Sequence, residues 1–546
     1  MTETCLRYAD LTIITTDNPR DELPENIIRD MTENFLNNSK LIIIKDRAQA
    51  IKQTISMMNS NDILVIAGKG HEDYQEISGK KIHFSDKEEV QKYFTSPEIC
   101  SEEDNSFTIR LSFPLDILQI LKILNKEFTS ANSLFEYIST DSRTIEENSL
   151  FFALSGEKFD GHKFVEKVLE DKTCYAVVKN SFNLNSDRLI KVEDVNKAYT
   201  QLAAFYKSIF SARTFAITGS TGKTTTKEYL YNILSEKGKT LKSLQNENNI
   251  FGLCKTIFRL SREHDFAIYE LGSNHFGEIS AMADICKPEI GIVTSIGNCH
   301  LEFLNDLDGV FKEKSALLEK TSYLKIFPFE EHRFYDAGIV GKSFGYSAEA
   351  DFHIEILSRN DEGFLFNVND CSFSLPSRVD HNVTNAAIAI AAAWSIIPNK
   401  EIIQVGLNKK IDTELRMQII QMDKKNWIFD CYNANPESMK SALLFWRNYK
   451  PELIHYAILG DMLELGAKSQ KLHQDVKKIL ADIPYEKVFT IGSESILYHG
   501  DIHFVNVDEF INSNVFRNMK SESVILVKGS HGIHLEKILE ILMNNK

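Results

Sequence analysis

Disulfide frames, CxxC zinc sites, secretory leaders and membrane spans all leave marks that this 546-residue sequence lacks. Its eight cysteines (Cys5, Cys100, Cys174, Cys254, Cys286, Cys299, Cys371, Cys431) are scattered, and none forms a CxxC pair. That pattern fits buried thiols in a reducing cytoplasm. Met1–Asp10 has neither the basic start nor the apolar core of a signal peptide. The longest apolar stretch, Ala386–Ile397, is too short and too rich in alanine to span a bilayer, so a buried helix is expected there and no membrane insertion. Positive charge is also scarce: 62 Lys and Arg stand against 77 Asp and Glu, for a net charge of −15. This argues against nucleic-acid binding through the whole surface, while a locally basic, metal-loaded site could still take a small anionic substrate. Since single cores rarely grow past about 250–300 residues, the length predicts several domains.

What is present is most specific at Thr218–Thr226, which reads TGSTGKTTT between an apolar run ending at Ile217 and a helical stretch. Glycines there let the backbone turn several N–H groups toward one anion, and the following helix adds its positive N-terminal end. In such a phosphate loop Gly219, Ser220, Thr221, Gly222, Lys223, Thr224 and Thr225 would hold a nucleotide. Lys223 is the mobile cation for the β- and γ-phosphates, and Thr224 the hydroxyl for Mg²⁺. The spacing is unusual, because only Ser220 and Thr221 separate Gly219 from Gly222 where the general motif has four residues.

Alternating patterns make the chain an α/β protein with parallel sheets. Residues 1–95 read as strand Thr12–Thr15, helix Glu25–Asn37, strand Leu41–Ile44, helix Ala48–Met58, strand Ile63–Ala67 and a hairpin from Tyr74 to Phe84 turning at Ser78-Gly79. Residues 96–106 are polar and acidic, a linker. Further α/β regions follow over 107–210, 211–408 and 409–546. Strands are expected at Phe266–Glu270, Ile290–Ser295, Trp427–Asp430, Tyr456–Leu459 and Val524–Val527. Asp62–Glu72 (DILVIAGKGHE) echoes Ser523–His531 (SVILVKGSH): each is an apolar strand followed by Gly, Lys and His. Generic parallel strands with glycine-rich exits would look the same.

Behind the loop comes an ordered set of blocks. These are Gln245-Asn-Glu-Asn248-Asn249, Glu270-Leu-Gly-Ser-Asn274-His275-Phe-Gly-Glu278, Gly297-Asn-Cys-His300-Leu-Glu302, Lys312-Glu-Lys314 and His381-Asn382-Val-Thr-Asn385. Leu415-Arg416-Met417, Asp430-Cys-Tyr-Asn433-Ala-Asn435-Pro436, Gly460-Asp-Met-Leu-Glu-Leu-Gly466 and Lys528-Gly-Ser530 follow. From about Phe107 to the C-terminus this set resembles the Mur ligases of peptidoglycan synthesis, whose phosphate loop has the same short spacing. ELGSNHFGE, YNANPES and GDMLELG resemble the branch that joins D-Ala-D-Ala to UDP-MurNAc-tripeptide with ATP. Asp17-Asn18-Pro19-Arg20 and Gly68-Lys-Gly-His-Glu72 resemble instead the end of MurE, the branch adding meso-diaminopimelate. They imply a partial Rossmann-like C-terminal domain over 1–95, and the echo then joins equivalent places of two homologous domains. The resemblance further implies a UDP-sugar-binding domain over 107–210, a central ATP-binding domain over 211–408 and a C-terminal Rossmann-like domain over 409–546.

It also implies roles. A carboxylate is not electrophilic enough to take an amine in water, so such a ligase passes through an acyl phosphate made from ATP and stabilises an oxyanion. Glu270, at the end of a buried strand, has an oxygen suited to Mg²⁺. His300 is a metal residue by resemblance alone. So is Lys314: an ammonium cannot ligate a cation, but a carbamylated lysine can. Taken from the sequence only, Lys314 is a solvated helix residue, and Lys312 competes with it. Asn248 and Asn249 fall near phosphate or metal, while His381, Asn382 and Asn385 fall on the adenine side. Arg416 and Asp430 reach the nucleotide across a domain boundary, which implies closure before catalysis. Ser142 and Arg143 suit UDP. Asn274, His275, Asn433, Asn435 and Lys528 are placed toward substrate. Three departures from the branch are Asn148-Ser149 for a Gly, Cys254 for a Pro and His531 for an Arg. The alternatives are a ligase of the folylpolyglutamate synthase type, or a scaffold whose residues 1–95 complement a separately encoded, truncated MurE.

Overall fold

In a computed structural model, the described residues are 2–544 apart from 21, 36, 37, 39, 57, 59–62, 70, 71, 73, 78, 79, 94–106, 128–132, 157, 158, 245, 246, 361 and 412–414. The linker at 96–106, the turn at Ser78-Gly79, the end of helix Glu25–Asn37 and the start of the 245–249 block lie outside them. The chain divides into two compact units, Met1–Arg213 with Ser243–Ala267, and Thr214–Lys242 with Ile268–Lys546.

In the first unit a five-stranded sheet runs in the order Thr108–Asp116, Leu134–Ser139, Ser149–Phe152, Tyr175–Lys179, Leu189–Val192. Its inner residues are apolar and buried, among them Phe135, Phe151, Ala176 and Val177. The segment before it carries a two-stranded parallel sheet, Thr12–Ile14 on Leu41–Ile43, and the hairpin Tyr74–Ile77 with Lys80–His83. Its helix Arg47–Ser56 lies against strand Thr108–Asp116, and Gln53 Nε2 donates to the Pro114 carbonyl at 3.3 Å.

The expected strand at Ile63–Ala67 does not form. Ile63 and Val65 are 90% and 79% exposed. The sequence echo explains why. In the C-terminal region Ser523–Lys528 is a strand because it sits between Lys425–Asp430 and Ile454–Gly460, with a parallel partner on each side. Among the described residues of 1–95 the strands pair as Thr12–Ile14 with Leu41–Ile43 and Tyr74–Ile77 with Lys80–His83, and none pairs with residues 63–67. A strand without partners leaves its N–H and C=O groups unpaired, so the apolar pattern alone does not make one.

The second unit holds two sheets. In the first, the order is Thr240–Lys242, Phe266–Glu270, Arg213–Thr218, Ile290–Val293, Leu324–Pro328, Lys342–Gly345, continued by Phe352–Asn360, Gly363–Val368 and Cys371–Leu375. The chain leaves Arg213–Thr218 to one side and later returns to its other side at Ile290–Val293. The carboxyl end of Arg213–Thr218 is therefore a topological switch point, where such sheets bind ligands. The helix His381–Trp394, buried as the alanine-rich stretch predicts, packs on helix Lys223–Leu234. The second sheet runs Gln418–Met422, Lys425–Asp430, Ser523–Lys528, Ile454–Gly460, Lys487–Ile491, Ile502–Phe504 and is parallel except at its first pair.

Candidate active site

Residues 219–222 turn out of the buried strand Arg213–Thr218 into helix Lys223–Leu234, whose N-cap is Gly222 at φ 83°. Two glycines are required here. A Cβ on Gly219 (φ 149°) would overlap Thr294 Oγ1, and one on Gly222 would overlap Asn385 Oδ1. Hydrogen bonds from Ser220 N to the Ser295 carbonyl (2.9 Å) and from Thr221 N to Ser295 Oγ (2.9 Å) tie the loop to the end of the neighbouring strand. Ser220 Oγ donates to the Gly297 carbonyl at 3.1 Å. Thr225 is buried behind the loop at the start of the helix.

Lys223 Nζ donates to the Gly219 carbonyl at 2.7 Å, folded over its own loop. Burial, and then the nearby Lys314 ammonium, lower its pKa to about 8. Thr224 Oγ1 donates to Glu270, 2.9 Å from either carboxylate oxygen. Glu270 is buried and forms an ion pair with Lys227 at 3.3 Å. Burial pushes its carboxyl up, but Lys227, Arg416 and Lys223 more than reverse this and hold it below the ordinary carboxylate value. The oxygens of Thr224 and Glu270 form a hard donor set of the kind Mg²⁺ takes. Together with the glycine turn they fit a Mg²⁺-nucleotide.

Lys314, in helix Leu307–Glu319, is buried rather than solvated, while Lys312 is exposed near the Phe276 ring. Apolar residues at Val310, Leu317 and Leu318 set the inner face of that helix and carry Lys314 in with them. No acceptor for Lys314 Nζ is found among the described residues. His300 stands in the left-handed region (φ 52°), and its Nδ1 lies 2.5 Å from Glu464 Oε2. That hydrogen bond, ahead of burial, holds the Glu464 carboxyl below its usual value. Glu464 belongs to the GDMLELG block but was not foreseen as the partner of His300. Glu437 was also missed: its Oε1 accepts from Asn298 N (3.1 Å) and Nδ2 (2.8 Å), while its Oε2 is buried without a partner.

Arg416 is close enough to act on both Glu270 and Lys223, and its guanidinium lies 3.7 Å from the centre of the Tyr432 ring. Asp430 and Lys528 are ion-paired at 2.9 Å, and Lys528 also donates to the Asn433 carbonyl at 2.8 Å. His381 lies near this pair, and its imidazole is lowered chiefly by burial. Asn385 Oδ1 accepts from Thr226 Oγ1 at 3.4 Å. Asn435 caps helix Pro436–Asn448. Asn274 and His275 stand exposed, their amides bonded to Glu278. A cavity of about 350 Å³ beside the loop is lined by Thr294, Ser295, Pro328, Tyr346 and Thr384. Tyr346, at an unremarkable GYS sequence, carried no signal.

The remaining residues lie in the first unit. Asn249 caps helix Ile250–Phe258 through Gly252 N. Ser142 is buried, and Arg143 is paired with Asp141 on the surface. Asn18 Nδ2 donates to Glu72 at 2.9 Å, and Asn18 Oδ1 accepts from Glu76 N. Lys69 Nζ is 3.6 Å from Asp17. Pro19 is buried, Arg20 is exposed at φ 53°, and Gly68 has φ 116°. The Asp17–Arg20 and Gly68–Glu72 blocks thus meet in space.

A phosphate loop at the switch point of a doubly wound sheet, followed by a second, mostly parallel sheet carrying Arg416 and Asp430, defines a nucleotide-binding α/β protein of the P-loop class. Family models match as the Mur ligase middle domain (residues 217–393), the Mur ligase glutamate ligase domain (1–70 and 415–531) and the Mur ligase family catalytic domain (135–207). The UDP-N-acetylmuramoyl-tripeptide–D-alanyl-D-alanine ligase of Bacillus subtilis (strain 168) is 30% identical over 442 residues, 76% of this chain and 96% of the relative. The ligase of the same name from Escherichia coli (strain K12) is 30% identical over 78% of this chain and 98% of its own length. A crystal structure of MurF from Acinetobacter baumannii superposes with a TM-score of 0.72 at 29% identity, covering 80% of this chain and all of that one. The chain belongs to the Mur ligase family. One domain model matches it twice, at 1–70 and at 415–531.

Proposed function

We propose that the chain joins D-Ala-D-Ala to UDP-MurNAc-tripeptide in peptidoglycan precursor synthesis, as an ATP-dependent MurF-type ligase. The observation that carries this is the junction of Thr224 and Glu270 beneath Lys223, in a chain covering 96% of a relative named for that reaction. When bound, ATP with Mg²⁺ supplies the phosphoryl group that makes the tripeptide carboxylate electrophilic. The loop amides and Lys223 would hold phosphate oxygens, and Thr224, Glu270 and His300 would hold the metal. Arg416 adds fixed positive charge beside the phosphates. Asp430, His381 and Asn385 would take the nucleoside, with the cavity at Tyr346 as the place for its base. Ser142 and Arg143 take the UDP end, and Asn249 belongs to the phosphate side. Asn274, His275, Asn433, Asn435 and Lys528 frame the acceptor and dipeptide. Lys314 is carbamylated: a buried ammonium beside Lys223 without an acceptor is costly, whereas a carbamate reverses its charge and can reach the metal. The reaction belongs in the cytoplasm; among the described residues no helix is long and apolar enough to cross a membrane.

The domain division follows the same reading, with boundaries near 95, 106, 210 and 408. Residues 1–95 are the partial C-terminal domain of a MurE. Its open place beside residues 63–67 suits a separately encoded, truncated MurE, a partnership that absence of a complex on co-expression would overturn. The ligase reading is tested with purified UDP-MurNAc-tripeptide and ATP, with and without D-Ala-D-Ala. Phosphate release that depends on the dipeptide is expected, and release indifferent to it sinks the reading.

A further inference from the structure

Past strand Ser523–Lys528 the chain makes a short 3₁₀ turn, His531–Ile533, and then enters helix Glu536–Asn544. His534 links the two in the left-handed region (φ 59°). That reversal sets His531 and His534 side by side, ring centres 6.2 Å apart and nearly perpendicular. One ligand atom from each of His531, His534 and Glu536 lies within 4.8 Å of the others. His534 Nδ1 is 3.1 Å from Glu536 Oε1. The second carboxylate oxygen, Glu536 Oε2, is buried and has no hydrogen-bond partner. Both imidazoles are exposed and able to turn.

We propose that His531, His534 and Glu536 form a binding site for a borderline divalent cation such as Zn²⁺ or Co²⁺. It is separate from the Mg²⁺ position at Thr224 and Glu270. The donor chemistry sets the class: two imidazole nitrogens and one carboxylate oxygen select zinc-like ions, whereas Mg²⁺ prefers oxygen alone. Three ligands leave one position open to water, as in zinc sites that are not purely structural. Bond lengths near 2.0–2.2 Å require the ligand atoms to draw in by about 1 Å, within reach of rotation about the exposed side chains. The cation would also give Glu536 Oε2 the partner it lacks. The His531 and Tyr432 ring centres are 5.9 Å apart in a T-shaped arrangement, and the Arg416 guanidinium lies over the Tyr432 ring, so the site adjoins the Arg416 side of the C-terminal region.

The test uses the full chain, freed of metal and titrated with Co²⁺ in excess Mg²⁺, which occupies the nucleotide site. One equivalent of Co²⁺ is expected to give the visible absorption of a four- or five-coordinate ion. His534→Asn keeps a residue that tolerates the left-handed backbone but removes the ligand, and His531→Gln does the same for the other ring. Each should weaken binding at least about 10-fold, and Glu536→Gln by a similar factor. No bound Co²⁺ in excess Mg²⁺, or variants that bind as the parent does, would overturn the site. Unchanged thermal melting of the variants without metal separates ligand loss from misfolding.

Discussion

Lys223 is a half-buried cation with its own loop carbonyl as acceptor and, before Lys314 is carbamylated, a second ammonium nearby. Its pKa near 8 has a functional sign: below that value it is charged and attracts phosphate, above it the charge goes. In protein kept free of bicarbonate, so that Lys314 is an ammonium, the Kd for ATP should therefore rise above about pH 8 in the parent and stay flat in Lys223→Arg, as measured by titration calorimetry across pH. Lys223→Ala should cost about 100-fold or more in kcat/KM, the scale expected if a bound phosphate loses the cation that would pair with it. The imidazole of His300 is oriented by Glu464, a partner from a distant block. Glu464→Gln should raise the Mg²⁺ concentration needed for half-maximal rate by about 10-fold, as loss of an orienting carboxylate does at metal sites, with little change in melting temperature. If the Mg²⁺ dependence stays put, Glu464 does not orient a metal ligand. The glycine-rich loop and the place of Glu270 at a strand end were legible in the sequence, because strand ends and Gly-Lys-Thr spacing are local, whereas His300 was singled out by resemblance alone. The His300–Glu464 pair was not, since its halves are 164 residues apart and nothing local marks the register between them.

Helix ends and turns carry the second layer. His300, Glu464, Leu415 and Met417 all take positive φ without being glycine. Such strain, of order 1–3 kcal/mol each, collects where the surroundings demand a geometry. Here it flanks Arg416 and the His300–Glu464 contact. Sequence patterns favour relaxed backbone and gave no warning of it. In the first unit, Asp116 caps helix Ile117–Ile123 through Leu118 N and is buried. Burial, opposed by Leu118 N and Lys45, raises its carboxyl to about 7. The folded state thus holds the proton more tightly than the unfolded one. The contribution of this group to stability is fully present below about pH 4 and is lost as pH rises through 7, by on the order of 4 kcal/mol. Asp116→Asn keeps a capping oxygen and removes the titration. It should melt higher than the parent at pH 8 and show a flatter stability profile between pH 4 and 7; parallel profiles would refute the assignment.

Over the whole molecule, the duplicated Mur ligase domain model is the feature that sequence and structure treat differently. The first copy keeps contacts between its blocks, Asn18 to Glu72 and Lys69 to Asp17, while among its described residues 63–67 form no strand. Its helix Arg47–Ser56 rests on strand Thr108–Asp116 of the same unit. Deleting residues 1–100 should leave D-Ala-D-Ala addition within a few-fold of the parent while lowering the melting temperature, because the chemistry lies behind Thr218 and the loss is of packing. Abolished turnover in a folded truncation would show that the segment takes part in catalysis. The amino-acid sequence by itself determined the parallel α/β architecture and the glycine-rich loop between strand and helix, since each depends on patterns spanning a few turns of chain. Only the tertiary structure decided that Lys314 is buried, that Glu464 serves His300 and that Ile63–Ala67 is no strand. Burial, pairing and strand formation all require a neighbour, and those neighbours are supplied, or withheld, by parts of the chain far away in sequence.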